Sequence, residues 1–180
     1  MNIASLTDLL INELQDLYDA EQQLVKALPK MAQAAFSEEL REAFELHAQE
    51  TQQQVARLEQ VFEALNVPAK GKHCPAMAGL LEEAEELLSE EPNADPSVLD
   101  AGMIVAAQKV EHYEIASYGS VRTFAQTLGA QAVVKLLQQT LDEEALTDRK
   151  LTALAETTIN LDAAESDQEI LQEAEQDSGK

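Results

Sequence analysis

Residues 104–121 read IVAAQKVEHYEIASYGSV, and their pattern decides the fold prediction. Apolar side chains recur there at alternating spacings of three and four residues, which places them on one face of an α-helix. The apolar members of this face are Ile104, Ala107, Tyr118 and Val121. Two other positions on the same face hold Glu111 and Glu114. The stretch therefore predicts a core-packed helix whose buried face carries carboxylates.

The same spacing occurs in three other segments of the 180-residue chain, and no stretch shows the alternation of a β-strand. A composition with 6 Gly, 5 Pro and no Trp also favours helices. Pro29 either kinks the first helix or lets it continue as a weaker turn through Ala35. We predict helices from Leu6 to Leu28, from an N-cap at Ser37 to Leu65, from an N-cap at Ser97 to Leu128, and from the stop at Gly129 to Ile159.

Residues 67–96 form a long connection between the second and third of these helices. They contain four of the five prolines and one short amphipathic helix, predicted from Met77 to Leu88. Two helical hairpins joined by such a crossover predict an all-α fold, a ferritin-like four-helix bundle. We assign residues 1–160 to this bundle domain. Residues 161–180 are acidic with few apolar side chains, which predicts a frayed tail.

The charge of the chain limits its partners. It has 12 Lys and Arg against 34 Asp and Glu, a net charge of −22. Nucleic acids and anionic membrane surfaces are therefore not expected as partners, whereas cations are. Cys74 is the single cysteine, and no signal peptide or apolar run of about 18 residues is present. These features predict a cytoplasmic protein.

All four long helices place acidic residues among the apolar positions of their core-facing stripes. They are Glu21 in the first helix, Glu50 in the second, Glu111 and Glu114 in the third, and Glu144 and Asp148 in the fourth. The second helix also places His47 three residues before Glu50. The same face of each helix is therefore predicted to pack in the core and to hold ionisable groups.

Counting residues from the hairpin turns predicts the heights of these groups. Glu21 and Glu50 lie 15 and 14 residues from a turn at residue 36, and Glu114 and Glu144 each lie 15 residues from Gly129. Both arms of a helical hairpin rise about 1.5 Å per residue. The four glutamates are therefore expected at one level of the bundle.

Four ionised carboxylates in a low-dielectric core repel one another and are costly to desolvate. No Lys or Arg lies on these stripes, so we predict two divalent metal ions, iron or manganese, among the carboxylates. The predicted ligands are Glu21, Glu50, Glu114 and Glu144, with His47, Glu111 and Asp148 as further candidates. The alternative is that 34 acidic residues on amphipathic helices reach core positions by chance.

Several strings at these residues resemble the YciF/YciE stress-protein family of the ferritin-like superfamily. They are LYDAEQQL at 17–24, HAQET at 47–51, KHCPAMAGLLEEA at 72–84, QKVEHYEIASYG at 108–119 and LDEEALTD at 141–148. The resemblance covers the chain from about Ile3 to Ile159. It implies a ferritin-like bundle that forms dimers and takes part in bacterial stress responses.

One departure concerns the histidines of ferritin and rubrerythrin sites. Those sites carry a histidine three residues after the glutamates of the second and fourth helices, and here the positions hold Gln53 and Thr147. His47 precedes its glutamate instead. The predicted site is therefore poorer in nitrogen and richer in oxygen ligands.

Two tyrosines near the predicted site each have two possible roles. Tyr18 and Tyr118 each lie one helical turn from a predicted ligand, where they either hydrogen-bond a carboxylate or pack in the core. His73 and Cys74 are predicted to pack in the crossover loop, and Glu143 is predicted to face solvent.

Apolar residues off the main stripe of the third helix, together with the resemblance, predict a homodimer. They are Met103, Val105, Val110, Tyr113 and Ile115, and His112 is assigned to the same interface. For the function, we expect a di-metal protein that binds iron or manganese. In stress protection it would act on oxygen or peroxide or take part in metal handling. The alternative is a helical interaction protein with a structural ion or none. The sequence identifies no catalytic residue.

Overall fold

A computed structural model describes residues 3–90 and 95–165 of the chain. Five α-helices follow in order, and the last runs into a π-helical turn. They are α1 (Leu6–Ala34), α2 (Glu38–Ala64), α3 (Pro75–Glu90), α4 (Pro96–Thr127), α5 (Gln131–Leu154) and the π-helical turn Ala155–Ile159. The helix resumes over 160–165, and the rest of the predicted acidic tail lies outside the described residues.

The helices form two hairpins that pack side by side. Helix α1 packs against α2 and α4 against α5, while α2 contacts α5 and α1 contacts α4. The crossover helix α3 lies on α4 and α1. This arrangement confirms the predicted all-α, ferritin-like four-helix bundle.

The helix ends decide one alternative that the sequence left open, at Pro29, and correct one prediction, at Ser97. Helix α1 continues through the exposed Pro29, because Met31 and Ala32 beyond it are buried in the core and stabilise the last turn. Helix α4 is capped by Asp95, whose carboxylate accepts a hydrogen bond from the backbone N–H of Ser97 at 2.8 Å, so the N-cap prediction at Ser97 is wrong. The predicted left-handed stop at Gly129 is confirmed by its φ of 76°.

The core consists of two apolar clusters on either side of a polar layer. One cluster contains Leu24, Leu28, Phe44 and Ile104, and the other contains Leu14, Leu17, Phe62 and Leu137. Along α1, Glu21 lies between Leu17 of the second cluster and Leu24 of the first. The carboxylates that interrupt the apolar stripes are therefore held in the middle of the bundle.

Side chains of α1 fix the crossover to the bundle. The carboxylate of Asp19 accepts hydrogen bonds from the backbone N–H of Cys74 at 2.8 Å and from the amide of Gln23 at 2.6 Å. The Tyr113 hydroxyl donates to Asp16 at 2.7 Å and lies 3.0 Å from the Cys74 sulfur. Cys74 is fully buried, in agreement with its predicted packing role.

The position of α3 changes the basis of the homodimer prediction. Met103 and Val110, invoked as surface residues, are buried within the chain because α3 covers that side of α4. Val105 remains 56% exposed. The homodimer stays a prediction. Among the apolar residues on which it was based, Val105 has a largely exposed side chain.

Asp100 links the two hairpins at one end of the bundle. Its side chain is 1% exposed and accepts hydrogen bonds from the backbone N–H groups of Phe36 at 2.9 Å and Ser37 at 2.6 Å. These donors lie in the turn between α1 and α2. A carboxylate of α4 therefore holds the start of α2 in place.

Replacing Asp100 by alanine removes the acceptor for both N–H groups. Because hydrogen bonds to charged groups contribute about 1.5–3 kcal/mol each, we expect the loss of both to lower the free energy of unfolding by about 3–6 kcal/mol. For a chain of this size, each kcal/mol lowers the Tm by about 2–4 °C. Thermal melts of Asp100→Ala, with the exposed Glu82→Ala as control, check this, and an unchanged Tm would contradict it.

Candidate metal centre

Four buried side chains from three helices meet in the middle of the bundle. They are His47 of α2, Glu111 and Glu114 of α4, and Glu144 of α5, each no more than 3% exposed. Each offers one ligand atom, and these atoms all lie within 4.8 Å of one another. A histidine and three carboxylates thus surround one small volume.

Glu21 adds a carboxylate from α1 beside this group. It is fully buried, and the hydroxyl of Tyr118 donates a hydrogen bond to its Oε1. Burial raises the pKa of Glu21 to about 7, although the hydrogen bond from Tyr118 and the charge of His47 oppose this. Tyr118 is therefore the tyrosine that bonds a predicted ligand.

Tyr18 packs in the core, the second of the two roles predicted for the tyrosines. Its hydroxyl donates to Glu59 at 2.8 Å, and its ring packs edge-on against Phe62 with centroids 5.6 Å apart. Glu59 is not a predicted ligand, so Tyr18 contributes packing and a hydrogen bond away from the buried group.

Many polar atoms of the buried group have no hydrogen-bond partner. They are both oxygens of Glu114 and of Glu144, one oxygen each of Glu21 and Glu111, and both nitrogens of His47. Leaving one buried polar atom unpaired costs about 1–3 kcal/mol, so a cluster of them calls for a ligand. Carboxylate oxygens with one imidazole suit divalent iron or manganese, and the residues therefore fit such ions.

His47 connects the group to the outer part of the bundle. Its Nε2 lies 3.1 Å from Oε1 of Glu111, and its Nδ1 lies 3.8 Å from Oε2 of Glu50. Burial opposes protonation of the imidazole, but the nearby carboxylates of Glu111 and Glu50 outweigh it and raise the pKa of His47 well above its usual range. In the metal-free protein His47 is thus a cation among carboxylates.

Two predicted ligands lie outside the four-residue group. Glu50 is 26% exposed, because the core-facing position of α2 at this height is taken by Thr51, which is fully buried. Asp148 is 21% exposed and accepts a hydrogen bond from Gln108 at 3.0 Å. The largely exposed His112 lies 3.3 Å from Asp148. The structure does not bring Glu50 or Asp148 into the group, and their ligand roles stay predictions.

Arg57 corrects two expectations from the sequence. No basic residue was expected in the core, yet Arg57 of α2 is 7% exposed. Its guanidinium donates to Thr140 at 2.6 Å and to both oxygens of Glu143 at 2.7 and 3.0 Å. Glu143 is therefore ion-paired and only partly exposed, and the prediction that it faces solvent is wrong.

A spacing signal for Arg57 exists in the sequence. It lies three residues after the buried Gln54 and four before the buried Val61, which places it on the inward side of α2. A long basic side chain at such a position packs its stem while its head reaches a partner. The partner is on α5, so this cation is engaged by Glu143 and does not neutralise the four-residue group.

A four-helix bundle with a long crossover and a buried layer of one histidine and four glutamates defines a ferritin-like protein with a candidate metal centre. Residues 5–164 match the family described as a domain of unknown function, DUF892. The chain belongs to this family.

Relatives of known structure or name agree with this assignment. Protein YciF of Escherichia coli strain K12 is 49% identical over 162 residues, which cover 89% of this chain and 96% of YciF. The crystal structure of the E. coli stress protein YciF superposes with a TM-score of 0.83 at 46% identity, over 88% of this chain and 99% of that one. YcfI of Rhodopseudomonas palustris, described as a candidate structural protein, superposes with a TM-score of 0.81 at 44% identity. The match covers 84% of this chain and 95% of that one.

The resemblance to the YciF-type family drawn from the sequence is therefore confirmed. Among the described residues, 3–90 and 95–165, no helix is both long enough and apolar enough to cross a membrane.

The buried acids predict how stability depends on pH in the metal-free protein. Burial and repulsion from Glu21 and Glu144 raise the pKa of Glu114 well above its usual range, and burial and Glu111 do the same for Glu144. A group whose pKa is raised on folding stabilises the protein below its unfolded pKa and loses that contribution as the pH rises through its folded pKa. With Glu21 near 7, stability falls as the pH rises through neutrality.

We therefore expect the metal-free protein to have a higher Tm at pH 6 than at pH 8. The metal-loaded protein changes little over this range, because bound ions keep the carboxylates ionised. Thermal melts of both forms at the two pH values check this. A metal-free protein with a lower Tm at pH 6 would contradict a cluster of buried acids.

Proposed function

We propose that the chain is a divalent-metal protein that holds two iron or manganese ions in its buried layer. The ligands come from Glu21, His47, Glu111, Glu114 and Glu144. The observation that carries this is the set of unpaired, fully buried carboxylate oxygens that converge with an imidazole. One imidazolium does not balance four buried carboxylates, so without metal ions part of their mutual repulsion and desolvation remains uncompensated. The stress-protein description of YciF supports a role in stress protection in the cytoplasm.

Metal ions held by these residues would supply Lewis-acid and redox chemistry toward a small oxidant such as oxygen or peroxide. The protein's own residues set the conditions. Tyr118 fixes the orientation of Glu21 through its hydrogen bond. The apolar clusters on both sides, which include Leu17 and Leu24, exclude bulk water from the carboxylates. Low water content strengthens the interaction of each carboxylate with a cation.

A second candidate function is a helical interaction protein whose buried acids hold a structural ion or none. The description of the R. palustris relative as a candidate structural protein favours it. The exposed apolar Val105 on α4 and Leu46 on α2 also favour a protein partner, in the simplest case a second copy of the chain. The two candidates differ in whether purified protein binds metal and consumes oxygen or peroxide.

Replacing Glu144 by glutamine removes one ligand charge and nearly preserves the volume of the side chain. We expect this variant to hold fewer ions per chain after dialysis against Mn²⁺ or, without oxygen, Fe²⁺. Metal analysis of the dialysed protein measures this, and the exposed Asp142→Asn on the same helix is the matched control. Equal metal content in Glu144→Gln and wild type would contradict the assignment.

Metal binding to the wild type also raises its Tm, since a ligand at a hundred times its Kd adds about 2.7 kcal/mol to the free energy of unfolding. A wild type that binds neither ion and shows no shift in Tm would leave the interaction protein as the better candidate.

Replacing Tyr118 by phenylalanine removes the hydrogen bond that orients Glu21. Groups that position a ligand typically contribute about 10–100-fold to metal affinity, and we expect a loss in that range. Competition with a metal-binding dye measures the Kd. The control is Tyr18→Phe, because the hydroxyl of Tyr18 bonds Glu59 and not a proposed ligand. This variant should bind the metal ion with wild-type affinity. Equal affinities of the two variants would contradict the positioning role.

A further inference from the structure

A small cavity opens between α2 and α5 and reaches the buried group. It has a volume of about 30 Å³ and its floor is formed by Ala107 and Glu111 of α4, on the far side of the cleft. His47 and Glu50 line it from α2, and Lys150 lines it from α5. Its volume matches that of about one water molecule, so a divalent ion fits once it has exchanged its water ligands for those of the protein.

The side chains along this cavity run in sequence from the surface to the interior. Glu50 is 26% exposed, while His47 and Glu111 are 3% and 1% exposed. The imidazole lies between the two carboxylates, with Nδ1 3.8 Å from Glu50 and Nε2 3.1 Å from Glu111. Neither nitrogen has a hydrogen bond of good geometry. A buried imidazole thus lies on a cavity that connects outer and inner carboxylates.

The mouth of the cavity carries charges of both signs. The Glu50 carboxylate, 26% exposed, reaches solvent at the mouth, and the ammonium of Lys150 lines the same cavity. Lys150 is exposed and Leu46 is 45% exposed, which leaves the mouth open to solvent. An anionic oxygen is therefore available to a cation, beside a lysine whose charge opposes its approach.

Further along the same cleft the two helices are tied together. Arg57 and Thr140 bond directly across it at 2.6 Å, and Arg57 pairs with Glu143 two turns of α2 beyond Glu50. The amide of Gln54 also donates to Glu143 at 3.3 Å. This part of the cleft is closed by a bulky cation, so the cavity at Glu50 is the better route for a positive ion.

We propose that Glu50 and His47 form the entrance by which a divalent cation reaches the buried carboxylates. Glu50 binds the ion at the surface, His47 gives up its proton to water as the ion reaches the imidazole, and the ion then passes to Glu111. This gives Glu50 a role in the rate of loading rather than in the final coordination. The inference rests on the proposed metal function and specifies how its site is filled.

The experiment measures loading of the metal-free, full-length protein with Co²⁺, whose visible absorption reports coordination. Charged clefts change association rates by about tenfold or more. We therefore expect Glu50→Gln to load about ten times more slowly than wild type in stopped-flow mixing, with the same Co²⁺ per chain at equilibrium. Lys150→Gln, which removes the opposing charge, should load faster. Glu45→Gln removes one exposed charge from α2 away from the cavity and should load as wild type.

Any other result would contradict the proposed entrance. Wild-type loading rates in Glu50→Gln would overturn it, and so would an equal slowing in Glu45→Gln, which would indicate a general effect of charge. Less Co²⁺ per chain at equilibrium in Glu50→Gln would make Glu50 a ligand instead. If wild type binds no Co²⁺, the proposed metal function itself fails, whereas loading that is insensitive to Glu50 overturns the entrance alone.

Discussion

The layer of buried carboxylates is the constraint to which the rest of the bundle is fitted. Its carboxylates come from α1, α4 and α5, α2 adds His47, and no carboxylate gains stability from burial in a metal-free core. The apolar clusters on either side supply the compensating free energy, since a fully buried leucine contributes about 1.5–3 kcal/mol. Leu17 and Leu24 flank Glu21 on α1 in this way. The fold therefore retains an energetically costly centre, which is typical of a site kept for binding.

The buried acids could be predicted from the sequence because they interrupt a strict helical spacing. Glu21, Glu111, Glu114 and Glu144 each occupy a position where the stripe requires an apolar residue, and all four are buried in the structure. Counting residues from the hairpin turns paired Glu114 with Glu144, which share the four-residue group, and paired Glu21 with Glu50, which lies outside it. The glycine stop at Gly129 made that count accurate for α4 and α5.

The remaining features depend on packing between helices, which periodicity does not contain. Glu50 and Thr51 are adjacent, and only the rotation of α2 against its neighbours decides that Thr51 faces inward. Arg57 is buried because Glu143 and Thr140 meet it from a segment more than 80 residues away. Val110 is covered by α3, whose place on α4 no stripe encodes.

The long crossover also sets the order in which the protein folds. Contacts within the α1–α2 and α4–α5 hairpins are local in sequence, whereas the layer that joins Glu21 to Glu144 is not, so each hairpin forms before the two dock. Until docking, the carboxylates are hydrated and ionised. Their dehydration and mutual repulsion then fall on this last step and slow it. An ion bound at the proposed site would offset that repulsion, so the metal supply would then affect how quickly new chains fold.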